Sequence, residues 1–81
     1  MNTREEILAA IRTIMAEMFE LDPEAIVLEA RLYEDLDFDS IDAVDMIVRL
    51  KELTGKAVKP EDFKSARTIG DVVDAVYKMM H

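Results

Sequence analysis

Asp35-Leu36-Asp37-Phe38-Asp39-Ser40-Ile41-Asp42 is the stretch on which the fold turns. Asp39 can cap a helix, Asp42 follows three residues later, and an apolar pattern then runs to Leu53 before Thr54-Gly55 stops it. The spacing predicts a long helix over about 40–54, with Ser40 at its first position. A helical wheel with Ser40 at zero puts Ala43, Met46, Ile47, Leu50 and Leu53 on an arc of roughly 220–340°, an ordinary core face. Ile41, Val44 and Val48 fall at roughly 40–100°, away from that core. Asp42, Asp45, Arg49 and Glu52 lie between the two stripes on one side, and Ser40 and Lys51 on the other. Either the preceding loop folds back over the second stripe, or the stripe is a docking face with apolar anchors and a charged rim.

Working outward, Thr3 and Glu6 form a capping-box pattern ahead of Ile7, Leu8, Ile11, Ile14, Met15 and Met18. This predicts an amphipathic helix over 4–19. The stretch from Glu20 to Phe38 reads mostly as loop, with one short helical turn at Asp22-Pro23-Glu24. Val58-Lys59-Pro60-Glu61-Asp62-Phe63 reads as a short helix opened by proline. Thr68-Ile69-Gly70-Asp71 opens a last helix, in which Ile69, Val72, Val73, Val76, Tyr77 and Met80 share a face. Strand signals are lacking, so the expectation is one all-α domain over 1–81, with three longer helices, one short helix and a long loop between the first two.

At 81 residues the chain buries only about 60–65% of its unfolded surface. A walled active site is hard to build at that size without disulfides or a structural metal. The sequence has no cysteine, which excludes disulfides, thiolate metal sites and a cysteine nucleophile. Eighteen acidic residues against ten basic ones give a net charge of −8. That balance disfavours nucleic acid and anionic lipid and favours basic protein surfaces. The opening Met1-Asn2-Thr3-Arg4-Glu5-Glu6 carries no basic stretch leading into an apolar run, and no membrane span is visible. A cytoplasmic monomer is the expectation.

Ser40 lacks the partners of a nucleophile. The single histidine is His81, and no Gly-x-Ser-x-Gly elbow is present. The expectation is no catalytic residue, with Ser40 offering an acceptor hydroxyl to another enzyme. A phosphodiester there would meet the free N–H groups of a helix N-terminus. Asp35-x-Asp37-x-Asp39 resembles the start of a calcium loop, but Ser40 replaces the turn glycine and Met46 the closing glutamate. No metal site is expected.

The same eight residues resemble the attachment motif of acyl carrier proteins, usually written DLGxDSLD. The order of helices and the later phrases at 58–63 and 68–73 are similar as well, so the resemblance spans nearly the whole chain. It implies an acyl-carrier-protein-like four-helix bundle. It also implies that a phosphopantetheinyl transferase attaches 4'-phosphopantetheine from coenzyme A to Ser40, with Asp39 helping to arrange magnesium and the transferase. The arm would hold acyl intermediates as thioesters for acyl-transferring, ketosynthase-type and reductase-type enzymes. These partners would read Ile41, Asp42, Val44, Asp45, Val48 and Glu52 with basic docking patches. In the family the acyl cargo can also withdraw between the helices.

Asp37 stands where the family usually has glycine, Ile41 where it has leucine and Asp45 where it has glutamate. Arg49 and Lys51 add positive charge to a helix that is more uniformly acidic in typical fatty-acid carriers. A polyketide, aryl polyene or modified-lipid route is therefore at least as well matched as the housekeeping fatty-acid synthase. Two other readings stand beside the acyl carrier: a peptidyl or aminoacyl carrier, and an acidic interaction module that is never modified.

Overall fold

The computed structural model describes residues 3–81. Met1 and Asn2, on which part of the reading of the N-terminus rests, lie outside the described residues. Helix α1 spans Arg4–Phe19, α2 Ser40–Thr54, α3 Pro60–Lys64 and α4 Ile69–Met80. A 3-10 turn occupies Pro23–Ala25, capped by the Asp22 carboxylate. Among the described residues there is no strand, only an isolated antiparallel bridge between Arg31 and Thr68. No helix among them is long and apolar enough to cross a membrane.

The helix boundaries follow from local chemistry. Thr3 caps α1 by accepting the Glu6 N–H. Reciprocal capping boxes open α2 and α4, and Gly55 at φ 73° closes α2 in the left-handed region. Proline at the first turn of α3 loses nothing there, because that N–H has no intrahelical partner. Helix α1 ends less comfortably on Glu20, a non-glycine residue at φ 55°.

One apolar cluster joins the elements. Ile7, Ile11, Ile14 and Met15 of α1 are buried with Ala43, Met46 and Leu50 of α2, Phe63 of α3 and Ile69, Val72, Val73 and Val76 of α4. Leu8, Met18, Ile47, Tyr77 and Met80, each expected on a core face, are only partly buried at its edge. The long loop contributes more than its irregular pattern foretells, since Ile26, Ala30, Leu32, Leu36 and Phe38 are all buried. Two features pin it in place. The Arg12 guanidinium donates to the Ile26 carbonyl from α1. At the start of α4, Leu32 N–H donates to the Arg67 carbonyl, Ile69 N–H to Ala30 and Gly70 N–H to Leu28, each at 2.9 Å. A Cβ on Gly70 would stand 3.2 Å from the Leu28 carbonyl oxygen, so glycine permits this close approach.

Leu53 corrects one expectation. Assigned to the core face of α2, it is 48% exposed. It sits in the last turn, at the edge of the apolar arc nearest the charged seam, where it lines a shallow groove with Ile14, Arg49 and Glu52.

Candidate functional site

The approach to α2 alternates: Leu36 and Phe38 point into the core, while Asp37 and Asp39 are exposed. Phe38 packs edge-on against Phe19 of α1 at 4.9 Å between centroids, and its N–H donates to the Leu32 carbonyl. The residue before the cap is therefore fixed both by packing and by a backbone bond. Asp37 has φ 55°, in the left-handed region that asparagine and aspartate enter more readily than most residues. A backbone position of that kind explains why glycine can stand there.

Asp39 is the N-cap of α2. Its carboxylate accepts the Asp42 N–H at 2.9 Å, and the Asp42 carboxylate accepts the Asp39 N–H at 3.2 Å. Capping is thus carried by the two aspartates and not by the serine between them. Ser40 lies at the first helical position, exposed, and its hydroxyl has no hydrogen-bond partner among the described residues. The N–H groups of Ser40 and Ile41 likewise meet no acceptor there, while Asp42 and Ala43 are bonded to Asp39. An exposed hydroxyl beside two free helix N–H groups suits a phosphate ester, whose oxygens would be favoured by those donors and by the helix dipole.

The second stripe is open to solvent. Ile41, Val44 and Val48 are 70%, 58% and 50% exposed, so the loop does not cover them. Asp45 and Glu52 are exposed beside them, and Asp42 is half-buried because of its place in the cap. Arg49, absent from the expected site residues, stands 3.9 Å from both Glu52 and Glu17 of α1. Only its charge and its azimuth on α2 mark it in the sequence.

The acidic run ahead of the serine does not converge on an ion. Asp35 turns back on Arg31: it accepts the Arg31 N–H at 2.8 Å and its guanidinium at 3.0 and 3.2 Å. Those bonds hold the Asp35 carboxyl below the usual carboxylate range and raise the Arg31 guanidinium. Arg31 also pairs with Glu34. Among the described residues no group of three acidic or histidine side chains is placed to hold a metal. At the start of α4, the Arg67 and Thr68 N–H groups hold Asp71 below its ordinary value.

Comparison with known proteins adds an independent line. Residues 9–76 match the family described as phosphopantetheine attachment site. Acyl carrier protein 2 of Ralstonia nicotianae is 53% identical over 78 residues, covering 96% of both chains. An acyl carrier protein of Thermosynechococcus vestitus is 37% identical over 90% of both. The meromycolate extension acyl carrier protein of Mycobacterium leprae is 36% identical over 95% of this chain and 67% of that one. Among solved structures, an acyl carrier protein from Thermotoga maritima superposes with a TM-score of 0.82 at 26% identity, covering 95% of this chain and 89% of that one. One from Enterococcus faecalis gives 0.77 at 26% identity, covering 95% and 98%.

Proposed function

This chain belongs to the acyl carrier protein family, whose members carry acyl groups on 4'-phosphopantetheine for fatty-acid and related lipid synthesis, and we propose that Ser40 is the residue bearing that arm. The observation that carries this reading is the exposed, unbonded Ser40 hydroxyl at the first turn of α2, with the Ser40 and Ile41 N–H groups free beside it. A phosphopantetheinyl transferase would join Ser40 Oγ to the phosphorus of the arm and release the nucleotide part of coenzyme A. When bound, the arm supplies a thiol that the cysteine-free chain lacks, and thioesters form there. Asp39 fixes the serine at the helix start through the cap and is the carboxylate adjacent to the transferase's magnesium in this reading.

The chain performs no chemistry of its own. Each neighbouring carboxylate spends one oxygen on a backbone N–H of the cap, and neither hydrogen-bonds to the Ser40 hydroxyl among the described residues, so no general base is set against it. Partner enzymes, acyl-transferring, ketosynthase-type and reductase-type, dock on Ile41, Val44 and Val48 with cations facing Asp42, Asp45 and Glu52. The exposure of that stripe supports the assignment. The whole chain acts as a single monomeric carrier domain over 1–81 in the cytoplasm.

Incubation with coenzyme A and a broad-specificity transferase tests the attachment. Intact mass should rise by one phosphopantetheine, and Ser40→Ala should abolish the gain. An unmodified wild type would favour the acidic interaction module. The mass of the group released from protein isolated from its native cells separates acyl from aminoacyl cargo.

A further inference from the structure

The charges on α2 are sorted along its length. From 39 to 48 there are three carboxylates, Asp39, Asp42 and Asp45, and no cation; from 49 to 54 there are two cations, Arg49 and Lys51, against the single carboxylate of Glu52. All of these side chains but the half-buried Asp42 are exposed. Arg49 stands near Glu52 and Glu17 together, so both of those carboxylates are compensated locally. Lys51 enters no ion pair and no side-chain hydrogen bond among the described residues. On the wheel it borders the apolar stripe on the flank opposite Asp45. At 1.5 Å per residue the two cations lie about 14 and 16 Å along the helix from Ser40.

We infer that Arg49 and Lys51 determine which enzymes this carrier accepts, selecting a docking surface that is itself bipolar. Cationic side chains of that surface face Asp42 and Asp45 near the serine, and an acidic side chain faces Lys51 about three turns along the helix from Ser40, while Arg49, on the other flank, offsets Glu52 and Glu17. A wholly basic docking face would meet attraction at the first half of α2 and repulsion at the second, and discrimination between partners rests as much on the repulsive contact as on the attractive one. The same order of charges also complements the helix dipole. That effect stabilises α2 but has no bearing on partner choice, which gives the two roles different readouts. The inference rests on the docking role of α2 proposed above.

Binding of the unmodified protein, without coenzyme A, is measured by fluorescence anisotropy against a phosphopantetheinyl transferase chosen for a wholly basic docking face. Combined Arg49→Glu and Lys51→Glu should tighten binding about 5- to 20-fold at low salt, with most of the gain lost at roughly 0.5 M salt. Lys51→Glu alone breaks no ion pair and should move binding the same way by a smaller factor. It decides the matter if the double variant loses helix content by circular dichroism. Binding that is unchanged or weaker for a folded Lys51→Glu at low salt, or absent for every form, overturns the inference. The measurement needs no attached arm, so an error in the Ser40 assignment shows separately, as a wild type that gains no mass with coenzyme A.

Discussion

The carboxylates of Asp39 and Asp42 exchange backbone hydrogen bonds across Ser40, at 2.9 and 3.2 Å, and so hold the serine at the start of α2 without using its hydroxyl. Removing the cap should act on stability and on presentation of the serine together. Asp39→Ala is expected to cost about 1 kcal/mol, and Asp39→Asn, which keeps a capping oxygen, considerably less. Urea denaturation of both variants checks this, and loading of Asp39→Asn by the transferase reports the separate contribution of the charge.

The Asp45 carboxylate makes no hydrogen bond or ion pair among the described residues, unlike that of Asp42. Asp45→Lys should therefore leave the denaturation midpoint near wild type while slowing transferase loading, more at low salt than at high salt. Asp42→Lys should disturb both, because its carboxylate is half of the cap. Loading rates that stay equal at every ionic strength would remove the acidic rim from the docking surface.

The two stripes of α2 should separate in stability. Met46 and Leu50 are buried, and truncating either to alanine should cost about 2–5 kcal/mol. Val44, 58% exposed, should lose far less while its loading by partners is impaired. Ile47 is only partly buried at the core edge, so Ile47→Ala should fall between them. Denaturant midpoints for the four variants test this order.

Glu20 and Asp37 are the two non-glycine residues at positive φ among the described residues. Glu20→Gly should stabilise the protein by up to about 1 kcal/mol by relieving the left-handed end of α1. Asp37→Gly should change stability less, since aspartate tolerates that conformation and glycine adds unfolded-state entropy. Thermal unfolding of both variants distinguishes the two effects.

Asp35 and Asp71 are held below their ordinary carboxylate range, Asp35 first by the Arg31 guanidinium and Asp71 first by the Arg67 N–H. A lowered folded-state value means that the unfolded chain takes up protons first as pH falls. Their stabilisation is therefore complete above the usual carboxylate pKa, near about 4, and is lost as pH drops through the lowered folded values. Asp71→Asn should flatten the acid limb of the stability profile below about pH 4, as read by urea midpoints against pH.

Sequence alone made the helices legible because their ends are written in single residues: Thr3, Asp39, Gly55, Pro60 and Thr68 each perform a local capping or stop function. The wheel of α2 likewise set Ile41, Val44 and Val48 apart from the core face, but it left open whether the loop covers them, and the structure shows them exposed. The burial of the 20–38 loop was not legible, since what holds Ile26, Ala30, Leu32, Leu36 and Phe38 in place is distant in sequence: the Arg12 guanidinium on the Ile26 carbonyl, and the bonds of Leu28, Ala30 and Leu32 to the Arg67–Gly70 backbone. Leu53 was misassigned because periodicity fixes an azimuth but not how far the packing reaches around it, and Leu53 sits at the edge of the apolar arc in the last turn, on an open groove beside Ile14. The commitment of Asp35 to Arg31 could not be read from an acidic run, because it depends on a loop turning back on itself.

The attachment of the arm is tested most directly by intact and tandem mass spectrometry after incubation with coenzyme A and a transferase. A gain of one phosphopantetheine, localised to Ser40 and lost in Ser40→Ala, is the predicted result. No gain, or a gain that persists in Ser40→Ala, would contradict it.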